Sequence, residues 1–176
     1  GESMLDIPKT GPVIFYANHP LAGIDAFLLP AEIEKVRPDI KIMVASHLKN
    51  LPGLKDNAFV VDVSKTPEAR EYNKAIIKQA NQHIKDGKTL LIFPSGSVSH
   101  WANGDRRYPV DPIWYKGFLK FGEQTDHTQY RPVFIEGQFS EAYLKLREKS
   151  VGASNAYLIR EQVEQVGSTI TYKMGE

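Results

Sequence analysis

The chain has 176 residues, with 22 Lys and Arg against 21 Asp and Glu, a net charge of +1 and no cysteine. Its length suits one compact domain, its near-neutral charge gives no global field for nucleic acid, and the missing cysteines exclude disulfides, thiolate metal sites and cysteine nucleophiles. No apolar run is long enough to span a bilayer and no signal peptide is recognisable. Both termini read as truncated, which leaves room for membrane anchors outside the segment.

The apolar run Val13–Ala17, stopped by Asn-His-Pro in "GPVIFYANHP", reads as a buried strand. Asp25 then opens a helix carrying Phe27, Leu28, Ala31 and Ile33, which Pro38 ends. "IKIMVAS" and "AFVVDV" follow as the second and third strands. The clearest helix comes next: Thr66 caps it, Pro67 and Glu68 fit its first turn, and Gly87 closes it. Its apolar line, Ala69, Tyr72, Ile76, Ala80 and Ile84, keeps three-to-four spacing. "TLLIFP" is a fourth buried strand ending in "PSGS", and a polar loop is expected from Ser95 to about Pro112. "WYKGFLKFGEQ" reads as helical and "RPVFIEG" as a fifth strand. Helices over about 140–149 and 155–166 precede a last strand, "STITYKM". Strands alternating with helices, with no repeat or linker, predict one α/β domain over residues 1–176. Its sheet is expected to be largely parallel or mixed, with helices on both faces.

In open α/β sheets, ligands collect in the crevice beyond the carboxyl ends of the strands. Two polar segments fall there, "NHPLAGID" after the first strand and "FPSGSVSHWANGDRR" after the fourth. An imidazole at His19 is suited to accept a proton from a hydroxyl near neutral pH, and Asp25 to hold its other nitrogen. Read from these two residues alone, a strand-end turn and a helix cap are the stronger explanation. Gly96 allows close backbone approach, so that amides of "FPSGS" can point at a developing oxyanion. Ser97 and Ser99 can orient a substrate, and Arg106 and Arg107 can pair with phosphate; a self-satisfied loop and a solvated turn are the plain alternatives. The serine-hydrolase elbow, the P-loop and the dinucleotide fingerprint are all absent. His47, His83, His100 and His127 show no metal-ligand spacing.

Taken together, "ANHPLAGIDAFLL", "LPGLKDNAFVVDV", "DGKTLLIFPSGSVS", "WYKGFLKFGEQT", "RPVFIEG" and "NAYLIREQVEQVGSTITYKMG" resemble the glycerolipid acyltransferase superfamily of the lysophosphatidic-acid type. They are most similar to its hemolysin-like and lyso-ornithine-lipid acyltransferase branch. The resemblance implies a glycerol-3-phosphate acyltransferase-like fold. It implies transfer of a fatty acyl group from an acyl-CoA or acyl-carrier-protein thioester to a hydroxyl of a lyso-lipid, either an aminolipid or a glycerolipid. His19 then matches the general base and Asp25 its orienter, with no covalent intermediate, no metal and no cofactor beyond the donor. "FPSGS" matches the motif implicated in acceptor binding. The candidates for substrate contact are therefore Asn18, Gly23, Pro94, Ser95, Gly96, Ser97, Ser99, Arg106 and Arg107.

The implied partners are the lipid acceptor, the CoA or carrier-protein donor and the cytoplasmic face of a bacterial inner membrane, held peripherally, with no nucleic acid. Trp101, Trp114, Tyr115 and Phe118 are candidates to line an apolar groove or anchor at an interface, and Lys116, Lys120 and Arg131 to receive an acidic donor. Ordinary packing and a wet helix face account for these equally well. The chain departs from the common pattern in three places. Five residues, not four, separate His19 from Asp25, as in the hemolysin-like branch. Ser95 and Ser97 stand where the third motif carries a carboxylate, and Asp62 and Lys65 lie where an acceptor-phosphate arginine is usual. These departures weigh against glycerol 3-phosphate and lysophosphatidic acid as acceptors and favour an aminolipid or another hydroxylated lipid. They also keep two alternatives open, a catalytically silent lipid-binding domain and an acyl thioesterase.

Overall fold

The protein is described by a computed structural model over residues 6–50, 54, 56–102 and 105–175. Most of "LPGLK" and both extreme termini lie outside the described residues. In chain order the elements are β1 (Val13–Ala17), α1 (Gly23–Glu34), β2 (Lys41–Ala45), β3 (Ala58–Val61) and α2 (Pro67–Lys85). They continue with β4 (Thr89–Ile92), β5 (His100–Ala102), β6 (Asp105–Val110), α3 (Leu119–Gly122) and β7 (Gln129–Glu136). The last are α4 (Glu141–Lys149), α5 (Val151–Glu164) and β8 (Thr171–Met174).

Six strands form one mixed sheet in the order β3-β2-β4-β1-β7-β8, parallel except where β8 returns antiparallel to β7. Side chains of a strand alternate between faces, and β1 shows the consequence. Val13, Phe15 and Ala17 pack with Leu29 and Ile33 of α1, whereas Ile14 packs with Ala80 and Ile84 of α2 and with Phe121. Both faces are therefore covered, as an almost unbroken apolar strand requires. Because β1 and β4 are parallel neighbours, with Tyr16 opposite Ile92, the loops leaving them open at one edge of the sheet.

The local signals explain most element ends. The Thr66 side chain accepts the Ala69 amide at 3.2 Å, and α2 runs to Lys85 before Gly87 turns at φ 77°. Ser140 and Ser150 cap α4 and α5 in the same way. Buried Arg37 grips Asp39 through two nitrogens at 2.9 and 2.8 Å, and binds the carbonyls of Pro8, Gly11 and Gly87. A buried charge is tolerated on that condition, of being paired and fully hydrogen-bonded.

Three expectations are corrected. The stretch read as a polar loop contains the antiparallel pair β5–β6. The helix expected over "WYKGFLKFGEQ" reduces to a 3-10 turn at Lys116–Phe118 and the short α3. There the Tyr130 hydroxyl accepts the Gly122 amide at 2.9 Å and donates to the Leu119 carbonyl, so a side chain replaces helical bonds. The helix expected from residue 155 begins at Val151.

His83 sits inside α2, its Nε2 at 2.9 Å from the Thr89 carbonyl, which it serves as donor. Burial pushes its imidazole below the ordinary 6.5, with Lys88 and Lys41 adding to the shift and the Thr89 carbonyl opposing it. The unfolded chain thus takes up a proton that the folded one resists. Stability is full above the unfolded value and is lost as pH falls through the depressed folded value. His83→Gln is expected to flatten that acid loss in denaturant midpoints measured between about pH 5 and 7. An unchanged slope would remove His83 from the account.

Candidate active site

β1 ends because Asn18 replaces the next rung of backbone. Its Nδ2 donates to the Ile135 carbonyl at 3.0 Å and its Oδ1 accepts the Ile135 amide at 2.7 Å. The chain is then free to leave the sheet with His19 at the crevice. Both ends of the Asn18 amide are spent on β7, which places this predicted contact residue in the frame of the site.

Asp25 lies in the first turn of α1, two residues past its start at Gly23, and is not the cap expected from the sequence. Ala22 occupies the cap position with φ 52°, a strained conformation for a residue with a Cβ. That turn folds the helix back over its own entry. Asp25 Oδ2 accepts the Leu21 amide at 2.7 Å and lies 3.2 Å from His19 Nδ1. One carboxylate therefore fastens the loop and holds the ring, near the positive end of a helix.

The Asp25 side chain is fully buried, and its Oδ1 has no partner among the described residues. Burial pushes its carboxyl above the ordinary range, and the His19 hydrogen bond and charge and the Leu21 amide pull it back. Phe93 stacks on the imidazole with centroids 4.4 Å apart and fixes its plane. His19 Nε2 has no partner among the described residues. An imidazole oriented at Nδ1 and open at Nε2 can accept a proton at Nε2.

Asp111 was missed by the sequence reading. Its Oδ1 accepts the His19 amide at 3.1 Å and the Ser99 hydroxyl, and its Oδ2 accepts Trp114 Nε1 at 2.9 Å. The Ser99 amide in turn donates to the His19 carbonyl at 2.9 Å. The two loops at the sheet edge are thereby stapled together. No local signal marks Asp111, which lies 92 residues from His19 in sequence.

The "FPSGS" loop is tighter than expected. Gly96 has φ 60°, and its amide closes a turn onto the Phe93 carbonyl at 3.0 Å, so it does not point into the crevice. Ser95 is buried, its hydroxyl donating to the Ser97 carbonyl at 2.8 Å, and the Pro94 carbonyl accepts the Tyr115 amide at 3.0 Å. Ser97 Oγ accepts from Arg147 of α4 at 2.9 Å, another residue the sequence did not mark.

Arg106 and Arg107 are drawn elsewhere. Arg106 pairs with Glu148 at 2.8 Å and lies over the Trp101 ring, while Arg107 pairs with Asp105 at 2.9 Å. Trp101 is core, packed with Tyr143 and Leu144. Phe118 packs on Tyr16 with centroids 5.3 Å apart. Arg131 donates to Gln129 at 3.1 Å.

Gly23 begins a groove of about 360 Å³ that continues along Ile24, Phe27 and Leu28 to Val166 and Ile170. Its apolar wall thus starts at the first residue of the helix that carries Asp25. On the segment after Asp111, Ile113 is 93% and Tyr115 72% exposed. No helix among the described residues is long and apolar enough to cross a membrane.

A family model described as Acyltransferase matches residues 3–150. The chain is 25% identical over 179 aligned residues to a lyso-glycine lipid O-acyltransferase of Phocaeicola vulgatus, the alignment covering 97% of this chain and 61% of that protein. It is 27% identical to a lyso-glycine lipid O-acyltransferase of Bacteroides thetaiotaomicron, with 97% and 62% covered. It therefore spans about six-tenths of the length of these curated relatives. With most of its length matched by the family model, from the β1 loop through the "FPSGS" turn to α4, the chain belongs to the acyltransferase family.

Proposed function

We propose that the protein moves a fatty acyl group from an acyl-CoA or acyl-carrier-protein thioester to the hydroxyl of a lyso-lipid of the glycine type. The observation that carries this reading is the His19–Asp25 pair, held at Nδ1 at 3.2 Å and open at Nε2. His19 takes the proton of the acceptor hydroxyl as its oxygen attacks the thioester carbonyl. Asp25 keeps the tautomer and balances the imidazolium that forms. Collapse of the tetrahedral intermediate breaks the carbon–sulfur bond. The departing sulfur recovers the proton, which leaves an ester, a free thiol and a neutral histidine. No acyl-enzyme is formed.

The acceptor class comes from the relatives' names. Glycine offers an amine and a carboxyl. If its chain is joined by an amide, the carboxylate stays free, and an O-acyl group must go onto a hydroxyl of the chain. The groove that begins at Gly23 supports the reading, since it gives a fatty chain an apolar surface along the helix that carries Asp25. Exposed Ile113 and Tyr115, with Lys116 close by, suit peripheral contact with the cytoplasmic face of a bacterial membrane, where thioester donors are made.

The test incubates the protein with acyl-carrier protein and with acyl-CoA, each with and without N-(3-hydroxyhexadecanoyl)glycine. Thiol release that requires the hydroxylated acceptor, with an ester product, is the expected result. Release without acceptor would mark a thioesterase. No release with either donor would mark a silent lipid-binding domain.

A further inference from the structure

Arg147 is a cation without a counter-charge. Arg37, Arg106, Arg107 and Arg160 each pair with a carboxylate, whereas Arg147 has no carboxylate within 4.0 Å among the described residues. Its contacts are neutral: Ser97 Oγ at 2.9 Å and Asn155 Oδ1 at 3.4 Å. The nearby acids are committed elsewhere, Glu148 to Arg106 at 2.8 Å and buried Glu161 to the Ser140 amide at 2.7 Å. The Tyr143 hydroxyl, buried and with no partner among the described residues, lies within electrostatic reach of the same guanidinium. A guanidinium left with unused N–H groups in a part-buried position is suited to a carboxylate, which it can bind through two parallel hydrogen bonds.

Arg147 sits on the loop that is tied to the backbone of His19. Ser97, which holds Arg147, is two residues from Ser99, whose amide binds the His19 carbonyl at 2.9 Å.

We infer that Arg147, seated on Ser97, binds the carboxylate of the acceptor head group and so sets which lyso-lipids are acylated. This rests on the acyl-transfer reading for its acceptor but not for its test, which needs no turnover. The site is an anion site, and the donor's phosphates are its competing source.

The experiment measures the dissociation constants of CoA and, below their micellar range, of N-decanoylglycine and neutral N-decanoylglycinamide, with wild type, Arg147→Met and Ser97→Glu. Wild type is expected to bind the acid at least tenfold more tightly than the amide. Both variants should lose that preference while keeping the amide affinity and the thermal midpoint, since Ser97→Glu supplies an internal carboxylate to an intact Arg147. Equal binding of acid and amide by wild type would overturn the inference. So would an Arg147→Met loss shared equally by both probes, or one confined to CoA binding, which would give the guanidinium to the donor. Charge-selective binding in a protein that transfers no acyl group would sink the acyl-transfer reading and leave the carboxylate site standing.

Discussion

His19→Ala is expected to lower the rate of acyl transfer by about 10²–10⁴-fold, the range set by losing a positioned general base. The fold should survive, because His19 contributes one stacked ring and one side-chain bond at the crevice, outside the core. Asp25→Asn reaches a comparable loss by another route. The Oδ2 that takes both the Leu21 amide and His19 Nδ1 can remain an oxygen in asparagine, but a neutral one, which holds the ring without balancing its charge. The imidazolium that forms as the hydroxyl gives up its proton then has no counter-charge.

The same substitution has the opposite effect on stability. Asp25 ionises less readily in the folded chain than in the unfolded one, whose ordinary value is 3.8. Its contribution is therefore full below that value and is lost as pH rises through the raised folded value. At neutral pH Asp25→Asn relieves the burial of a charge, and its thermal midpoint should rise while transfer falls. The decisive measurement pairs the transfer rate at saturating thioester with thermal unfolding at neutral pH. Full activity in His19→Ala would end the mechanism. An Asp25→Asn variant that lost stability and activity together would make Asp25 a fastener of the loop alone.

How far the sequence could be read depended on how local each signal was. The apolar run at Val13–Ala17 and the cap, proline and closing glycine of α2 report on their own neighbourhoods, and the structure places both elements as expected. β6 left no such trace, since its burial pattern is almost wholly exposed and gives no two-residue alternation. The Asn103-Gly104 dipeptide was the available hairpin signal. Asp25 shows the limit in finer detail. A first-turn acid was legible, but its turn back onto Leu21 and His19 depends on Ala22 at φ 52°, which no propensity rule assigns to alanine. Arg106 and Arg107 fit an anion site on composition and adjacency. In space Glu148 and Asp105 take their charges, and Arg147, 50 residues from Ser97 in sequence, is the arginine that meets the loop.

Asp111→Ala is expected to lower the transfer rate by roughly 10²-fold, the scale of an ångström-sized misplacement of a catalytic group. Asp111 is a positioning residue: it grips the His19 amide, the Ser99 hydroxyl and Trp114 Nε1, and touches no reacting atom. Its loss frees three donors in three segments, at about 1–3 kcal/mol for each that stays buried and unpaired. The part-buried setting admits water, so the fold loses less than that sum, and the register of the two loops suffers most. The effect should fall on kcat, with KM for the thioester nearly unchanged.

Asp111→Asn separates positioning from charge. Its oxygen can still accept from His19 and Ser99, but its NH₂ then faces the Trp114 N–H, donor against donor. Adding Trp114→Phe removes that conflict, so the double variant should transfer faster than Asp111→Asn alone. The staple account would not survive a double variant slower than both singles. Nor would it survive an Asp111→Ala enzyme whose thermal midpoint fell while its kcat held. The rescue is the stronger reading, because a general loss of folding would leave a second substitution at Trp114 only further loss to add.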